Sequence, residues 1–348
     1  MWTALFVTVA LLAGMRAQAA EPAEADWIAR GFRFHTGEVF PELRIHYRTL
    51  GNPNGQPVLV LHGTAQTGAA MLTANFGGQL FGPGQPLDAA RYFIIVPDAI
   101  GVGGSSKPSD GLRARFPAYN YADMVSAQYR LVSEGLGLRH LRLVIGNSMG
   151  GMQAWLWAEQ HPGFADGYVP LASQPTAMAS RNWMMRRLLV ETIRADPAYA
   201  NGDYTSQPPS LRLANAMFSI ATSGGSLGWQ AQAPSAAAAD RLVDAWVAAP
   251  PPADANDFVF QWQSSHDYDA EPELGRISAP VLAINAADDE RNPPETGVTA
   301  EAMKRIKNAR LYLIPASTET RGHLTTGNAS FYAEPLRDLL ATAPQRGM

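Results

Sequence analysis

Apolar residues in this chain form short, largely unbroken runs that are bounded by residues such as glycine, proline and aspartate. Runs of this kind, rich in β-branched residues, are typical of strands that are buried on both faces. The runs are Val58–Leu61, Tyr92–Pro97, Leu141–Ile145, Val281–Ile284 and Leu311–Ile314. Helical patterns fall between them, at residues 121–135, 149–161 and 297–307. The alternation predicts an α/β fold, in which helices flank a mostly parallel central sheet.

Near the amino terminus the pattern changes from unbroken runs to alternation. Residues 31–50 alternate between apolar and polar side chains around Gly37 and Pro41. A period of two with such breakers predicts an antiparallel hairpin that precedes the parallel strands.

A long segment between the third and fourth apolar runs, residues 174–275, is rich in Met, Ala and Trp. It predicts helices joined by loops, and we expect a helical cap over the carboxyl ends of the strands, where open α/β sheets place their sites. The predicted organisation is a first core part at 21–173, the cap at 174–275 and a second core part at 276–348. Apolar cap residues such as Trp183 and Met184 could line an acyl pocket, fill a core or form a homodimer interface, and the pattern leaves these alternatives open.

The first residues predict a targeting segment. Residues 4–13 are apolar throughout, and Ala17-Gln18-Ala19 follows with the small-x-small pattern that a signal peptidase recognises. The run is too short to span a bilayer as a helix. We therefore expect a signal peptide at residues 1–20, cleaved after Ala19 or Ala20, and a periplasmic or secreted protein without a stable membrane anchor.

Composition narrows the possible functions. The chain has 348 residues, of which 46% are hydrophobic and 17% are charged, so it can bury a large core. Its net charge of −4 and the lack of a basic run give no indication of nucleic-acid binding. The absence of cysteine excludes disulfides, thiolate metal sites and a cysteine nucleophile. We expect a small-molecule acyl substrate and no metal or organic cofactor.

A candidate nucleophile lies in Gly146-Asn147-Ser148-Met149-Gly150, a G-x-S-x-G motif. The motif follows a predicted strand and opens a predicted helix, which is the context it requires. There a sharp turn places the serine Oγ at the helix amino terminus, and the flanking glycines let neighbouring backbone approach. The pattern predicts Ser148 as a catalytic nucleophile.

A serine hydroxyl needs an adjacent base, and the base in turn needs an acid that orients it. In this architecture the order along the chain is serine, acid, histidine. His323 follows the last predicted strand and is the expected base, whereas His266 lies inside the cap segment. The acid should follow the strand at 281–284, where Asp288 and Asp289 are both available; the spacing to a later proline favours Asp289.

Two backbone N–H groups should hold the oxyanion that forms during acyl transfer. One is that of Met149, the residue after the nucleophile, and the other should come from the loop after the first core strand, where we expect Thr64. His62 in the same loop is expected to brace the loop rather than to react.

With these motifs the chain resembles the α/β-hydrolase superfamily and, within it, is similar to the homoserine O-acetyltransferase family. The resemblance spans almost the whole mature chain and implies an α/β-hydrolase fold with an acyl-Ser148 intermediate, from which the acyl group passes to a hydroxyl acceptor. The matching segments are Arg44–Gly51, Ser148–Gln153, Asp196–Tyr199, Gly202–Tyr204 and Gly322–His323.

The chain also departs from that family. Val190 stands where the family carries an arginine that is thought to bind the amino-acid carboxylate, while Arg186 and Arg187 lie one turn earlier. Leu324 replaces an aspartate that tends to follow the catalytic histidine. We therefore expect an exported serine acyl hydrolase or acyltransferase. The alternatives are a homoserine O-acetyltransferase that uses acetyl-CoA and a non-catalytic ligand-binding protein.

Overall fold

The computed structural model describes residues 21–222, 225–250 and 253–346, in which the strands form one eight-stranded sheet. The signal peptide predicted at residues 1–20 lies outside the described residues. The strands are β1 (Ala23–Arg33), β2 (Val39–Gly51), β3 (Gln56–Leu61), β4 (Tyr92–Pro97), β5 (Leu143–Asn147), β6 (Tyr168–Leu171), β7 (Val281–Ala286) and β8 (Ala309–Ile314). The α-helices in these ranges are α1 (Gly77–Leu80), α2 (Tyr121–Arg130), α3 (Met149–Gln160), α4 (Ser180–Arg194), α5 (Ser210–Thr222), α6 (Ser226–Gln232), α7 (Ala236–Ala248), α8 (Ala255–Gln263), α9 (Val298–Met303) and α10 (Ala333–Thr342).

The sheet order is β1-β2-β4-β3-β5-β6-β7-β8. The hairpin of β1 and β2 is antiparallel, and β2 also runs antiparallel to β4. Every later pair in this order, from β4-β3 to β7-β8, is parallel. The predicted α/β fold with a mostly parallel sheet is confirmed.

The sequence pattern missed β6 and misjudged several boundaries. β1 begins at Ala23, before the alternating segment at 31–50, and α9 ends at Met303 rather than at residue 307. β6 has only four residues and contains Pro170, which removes a ladder donor and hides a strand from pattern analysis. β5 begins at Leu143 rather than at Leu141, which instead forms an isolated bridge to Ala165. α2 ends at Arg130, because the chain continues as a π turn over residues 131–135.

The core lies on both faces of the sheet, as the unbroken apolar runs predict. In β3, Val58 and Val60 pack into the apolar cluster on one face, while Leu59 and Leu61 pack into the cluster on the other. Because the side chains of a strand alternate between faces, a strand that is covered on both sides must be apolar at successive positions.

Helices α4 to α8 follow β6 and precede β7 in the chain, within the segment predicted to be helical. Of these helices, α4, α5 and α8 contribute to a separate apolar cluster that includes Leu189, Val190, Phe258 and Trp262. The domain boundaries at 174 and 275 stay a prediction. Of the helices in the described ranges, none combines the length and apolarity that crossing a membrane requires.

Candidate active site

Ser148 lies at the turn between β5 and α3, with φ 56° and ψ −110°. This backbone conformation is rare for a residue with a side chain, and such strain persists only where the surroundings hold it. Here the Ser148 N–H donates to the Leu171 carbonyl at 2.9 Å, and the Gly150 N–H donates to the His62 carbonyl at 3.0 Å. The turn is therefore held from both neighbouring strands, and it places the serine at the amino terminus of α3.

The glycines of the motif are required by close backbone approach. A Cβ atom at Gly146 would lie 2.1 Å from the Gly150 carbonyl oxygen, and one at Gly150 would lie 2.3 Å from the Leu61 carbonyl oxygen. Both distances are far shorter than van der Waals contact between carbon and oxygen. The spacing of the motif thus follows from the tight packing of α3 against β3 and β5.

Ser148, His323 and Asp289 form one continuous chain of hydrogen bonds. Ser148 Oγ lies 2.8 Å from His323 Nε2, and His323 Nδ1 lies 2.8 Å from Asp289 Oδ2. All three residues are buried, with exposed fractions of 6% for Ser148, 5% for His323 and 1% for Asp289. An Nδ1–H that donates to the carboxylate leaves Nε2 as the acceptor for the serine hydroxyl proton.

The structure places Asp289, and not Asp288, against His323. Burial by itself raises the pKa of the Asp289 carboxyl, but interaction with His323 and hydrogen bonds from Asn292 and the Arg291 N–H bring that pKa below its usual value. Asp289 is therefore a carboxylate at neutral pH. Asp288 instead accepts a hydrogen bond from Thr320 Oγ1 at 2.7 Å.

Burial lowers the pKa of His323, and the guanidinium groups of Arg291 and Arg186 lower it further, against the opposing effect of Asp289. The imidazole is therefore neutral at pH 7, as a group that accepts a proton must be. His266, the other histidine that follows Ser148 well along the chain, is exposed and packs against the Trp183 ring at 4.9 Å between ring centres. It does not reach the serine.

The loop after β3 lies against the serine. A Cβ at Gly63 would be 3.5 Å from Ser148 Cβ. The Gly63 N–H donates to Gln66 Oε1, and the Ala65 N–H donates to Gln261 Oε1 of α8 at 2.7 Å. Among the described residues, the Thr64 N–H, which lies between these two donors, has no protein partner.

His62 braces this loop. Its Nδ1–H donates to the Gly63 carbonyl at 2.8 Å, and its Nε2 accepts from the Ala99 N–H at 3.0 Å. Burial lowers the pKa of His62, so the ring stays neutral and keeps both bonds. The expected supporting role of His62 agrees with these contacts.

Sequence analysis did not single out Asn292, which supports the acid. Its Nδ2 donates to Asp289 Oδ2 at 2.9 Å and to the Ala172 carbonyl at 3.0 Å. The only sequence signal was its place three residues after Asp289, where a side-chain amide can reach back. In the described ranges, no group of three or more His, Asp or Glu side chains is arranged to hold a metal ion.

The two arginines near Val190 have different environments. Arg186 is buried, whereas Arg187 is exposed and pairs with Glu191 at 3.0 Å. Val190 itself lies in the apolar cluster of the cap-segment helices. Met184 is 71% exposed, so it lines neither a core nor a buried pocket within the described structure.

Comparison with known proteins identifies a protein family that this chain matches. Residues 56–318 match the family model described as alpha/beta hydrolase fold. A homoserine O-acetyltransferase from Nautilia profundicola is 32% identical over 193 residues, which cover 49% of this chain and 50% of that protein. A probable acyltransferase from Methanothermobacter thermautotrophicus is 27% identical over 311 residues, which cover 87% of this chain and 93% of that protein. The chain thus spans about half the length of the homoserine O-acetyltransferase that it matches.

Among solved structures, an acetylester hydrolase from Corynebacterium glutamicum superposes with a TM-score of 0.79 at 21% identity. The match covers 92% of this chain and 96% of that one. At this identity the likeness shows the fold, which agrees with the sheet and helices described above.

Proposed function

The chain belongs to the alpha/beta hydrolase fold family, and from this premise we propose that it is a serine acyl hydrolase or acyltransferase that works through an acyl-Ser148 intermediate. The observation that carries the proposal is the hydrogen-bonded chain from Asp289 through His323 to Ser148 at the strained turn before α3. A nucleophile, a base in reach of it and an acid that orients the base are the groups that acyl transfer needs. Resemblance to acetyltransferases and to an acetylester hydrolase favours an acyl substrate.

In the first half of the reaction, Ser148 Oγ attacks the acyl carbonyl carbon while His323 Nε2 takes the hydroxyl proton. The carbonyl oxygen becomes an oxyanion in the tetrahedral intermediate. The bond between the carbonyl carbon and the leaving oxygen then breaks, and His323 returns its proton to that oxygen. The products of this half are the free alcohol and the acyl ester of Ser148. Asp289 stays ionised and stabilises the imidazolium.

In the second half, a water or an alcohol attacks the acyl carbon while His323 takes its proton. The bond from the acyl carbon to Ser148 Oγ breaks, and His323 returns the proton to the serine. Water yields a carboxylic acid, and an alcohol yields a new ester. The N–H groups of Met149 and Thr64 are the proposed oxyanion donors, and each is worth about 3 kcal/mol at the transition state.

The pH dependence of kcat/KM follows from the state of His323. The base must be unprotonated, and burial holds its pKa below the ordinary value of 6.5, so activity rises with pH and is half-maximal below pH 6.5. The measurement is kcat/KM for a short neutral ester across pH 4 to 9 at constant ionic strength. A neutral substrate contributes no titration of its own, and a midpoint above pH 6.5 would contradict the assignment.

One assay separates hydrolysis from CoA-dependent transfer. The chain has no cysteine, so a thiol reagent detects only CoA released from acetyl-CoA. We expect the purified protein to hydrolyse short acetyl esters and to react with a fluorophosphonate probe at Ser148, with no CoA release in the presence or absence of homoserine. The matched control is the Ser148→Ala protein in the same assays.

Homoserine-dependent CoA release would identify a homoserine O-acetyltransferase instead, which the 32% identical relative favours. The apolar surroundings of Val190, at the position of the family's carboxylate-binding arginine, count against it. Absence of both ester turnover and probe labelling would support a non-catalytic binding protein.

A further inference from the structure

The loop after β3 makes one of its hydrogen bonds to helix α8, which is distant in the chain. Gln261 of α8 is 2% exposed, and its Oε1 accepts from the Ala65 N–H at 2.7 Å across 196 sequence positions. Ala65 directly follows Thr64, whose N–H is a proposed oxyanion donor. A side chain from the helical segment between β6 and β7 therefore contacts the peptide group next to that donor.

Ala65 has a backbone conformation that is unfavourable by itself. Its φ is 59°, in the left-handed region that residues with a Cβ atom rarely adopt. Such a conformation persists only where neighbouring groups stabilise it. The bond from the Ala65 N–H to Gln261 is one such contact, because it fixes the orientation of the peptide between Thr64 and Ala65. Without it, we expect Ala65 to relax toward negative φ and Thr64 to shift with it.

The side chain of Thr64 does not anchor this segment. Its Oγ1 is buried and has no hydrogen-bond partner among the described residues. The neighbouring peptides are anchored instead: the Gly63 N–H donates to Gln66 Oε1 at 3.1 Å, and the Ala65 N–H donates to Gln261. Two side-chain amide oxygens thus occupy the N–H groups on either side of Thr64. An oxyanion donor must be oriented before the charge develops, and these two bonds can orient the one between them.

Helix α8 is well placed to hold the loop because two of its faces are fixed. Phe258 and Trp262, one turn apart, pack into the apolar cluster shared with α4 and α5. Asp257 and Gln261, also one turn apart, share the adjacent face. Asp257 accepts from the Ser109 N–H at 2.9 Å and from the Ser109 hydroxyl at 2.6 Å, in the segment that follows β4. The helix is therefore tied both to its neighbouring helices and to the loops above the sheet.

We propose that Gln261 is a positioning residue that holds the loop after β3 so that the Thr64 N–H points at the oxyanion. This inference rests on the proposed function and adds a residue to it. The role belongs to the acceptor Oε1, since Nε2 has no partner in the described part of the chain. Because the donor acts on charge that develops in the transition state, losing Gln261 should lower kcat and leave KM nearly unchanged.

The variant Gln261→Met tests this role, since methionine has nearly the same length and lacks the amide. We expect kcat for phenyl acetate to fall by about 10-fold to 50-fold, less than for complete loss of an oxyanion donor, with KM within about 3-fold of wild type. The matched control is Gln263→Met on the same helix, where the side chain is exposed and bonds to Arg194. It should keep the wild-type kcat and KM.

A second substrate distinguishes positioning from a general loss of structure. In O-phenyl thionoacetate, sulfur replaces the carbonyl oxygen, and sulfur is a weak hydrogen-bond acceptor that gains little from oxyanion donors. The ratio of kcat/KM for phenyl acetate to that for the thionoester therefore reports on these donors. Gln261→Met should lower this ratio by about 10-fold, and Gln263→Met should keep it. Equal losses for both substrates in Gln261→Met would overturn the inference.

The strain at Ala65 offers an independent check. Glycine adopts positive φ about as readily as negative φ, so Ala65→Gly removes the backbone cost that the bond to Gln261 opposes. The double variant Ala65→Gly/Gln261→Met should therefore have a kcat about 3-fold or more above that of Gln261→Met. A double variant no faster than the single one would contradict the role assigned to Ala65 and Gln261.

Further controls separate misfolding and failure of the proposed function from failure of this inference. Thermal unfolding identifies a Gln261→Met protein that does not fold. In that case Gln261→Asn replaces it, because the shorter side chain keeps an amide that cannot reach Ala65, and the same fall in the ratio is expected. Wild-type turnover with an unchanged ratio in the variant would refute the positioning role alone. Absence of ester turnover and of probe labelling in the wild type would refute the proposed function and this inference with it.

Discussion

Replacing Ser148 by alanine is expected to lower kcat for a short acyl ester by about 10⁴-fold to 10⁶-fold. The loss is this large because alanine has no Oγ to form the acyl intermediate, so only general binding and the oxyanion donors can still act. The variant should also lose labelling by a fluorophosphonate probe. The measurement is the initial rate of ester hydrolysis at saturating substrate.

The fold should survive this substitution. Ser148 adopts φ 56° in the wild-type protein, and alanine meets the same backbone strain, so no new steric cost arises. Thermal unfolding of Ser148→Ala should therefore match the wild type closely. Ser330→Ala, which changes an exposed serine, is the control for the assay. If Ser148→Ala kept more than a tenth of the activity, another nucleophile would have to be sought.

Asp289→Asn is expected to lower kcat by about 10³-fold to 10⁴-fold, whereas Asp288→Asn should stay within about 3-fold of wild type. Asparagine at 289 has nearly the same shape as aspartate but removes the negative charge that stabilises the imidazolium. Its amide can also donate to Nδ1, which favours the tautomer with the proton on Nε2, and that nitrogen can then no longer accept the serine proton. Kinetics of both variants with the same neutral ester provide the test.

Asp288 and Asp289 are adjacent in sequence, so the pair controls for local charge and loop composition. Asp288 bonds to Thr320 and does not contact His323 within the described structure. Equal losses in the two variants would indicate a general effect of loop charge. A larger loss in Asp288→Asn would contradict the assignment of the acid.

The strands and the serine turn could be predicted from sequence because their causes are local. Strands covered on both faces must be apolar at successive positions, which is visible in the run from Val58 to Leu61. Glycine is required at positions 146 and 150, because a Cβ atom there would lie only 2.1 Å and 2.3 Å, respectively, from a backbone carbonyl oxygen. β6 was not predicted, because its four residues, one of them proline, are too few to show a strand pattern in the sequence.

The positions of His323 and Asp289 relative to Ser148 depend on contacts between segments that are distant in the sequence. His323 is 175 positions from Ser148 and 34 from Asp289, so spacing could name candidate residues but could not measure their approach. To choose between Asp288 and Asp289, one must know how the loop after β7 lies relative to the loop after β8, which carries His323. Asn292 had no distinguishing motif and became visible only through its contact with the carboxylate.

By itself, then, the sequence determined the α/β architecture and the residue types of the site, since short-range patterns of polarity and glycine encode both. Only the tertiary structure decided which aspartate meets the histidine and which of two adjacent arginines is buried. Arg186 and Arg187 have the same chemistry, yet one helix position turns the first toward Trp262 and leaves the second exposed beside Glu191. The physical reason is that the burial of a side chain depends on what packs against its helix, and that is set by segments distant in the chain.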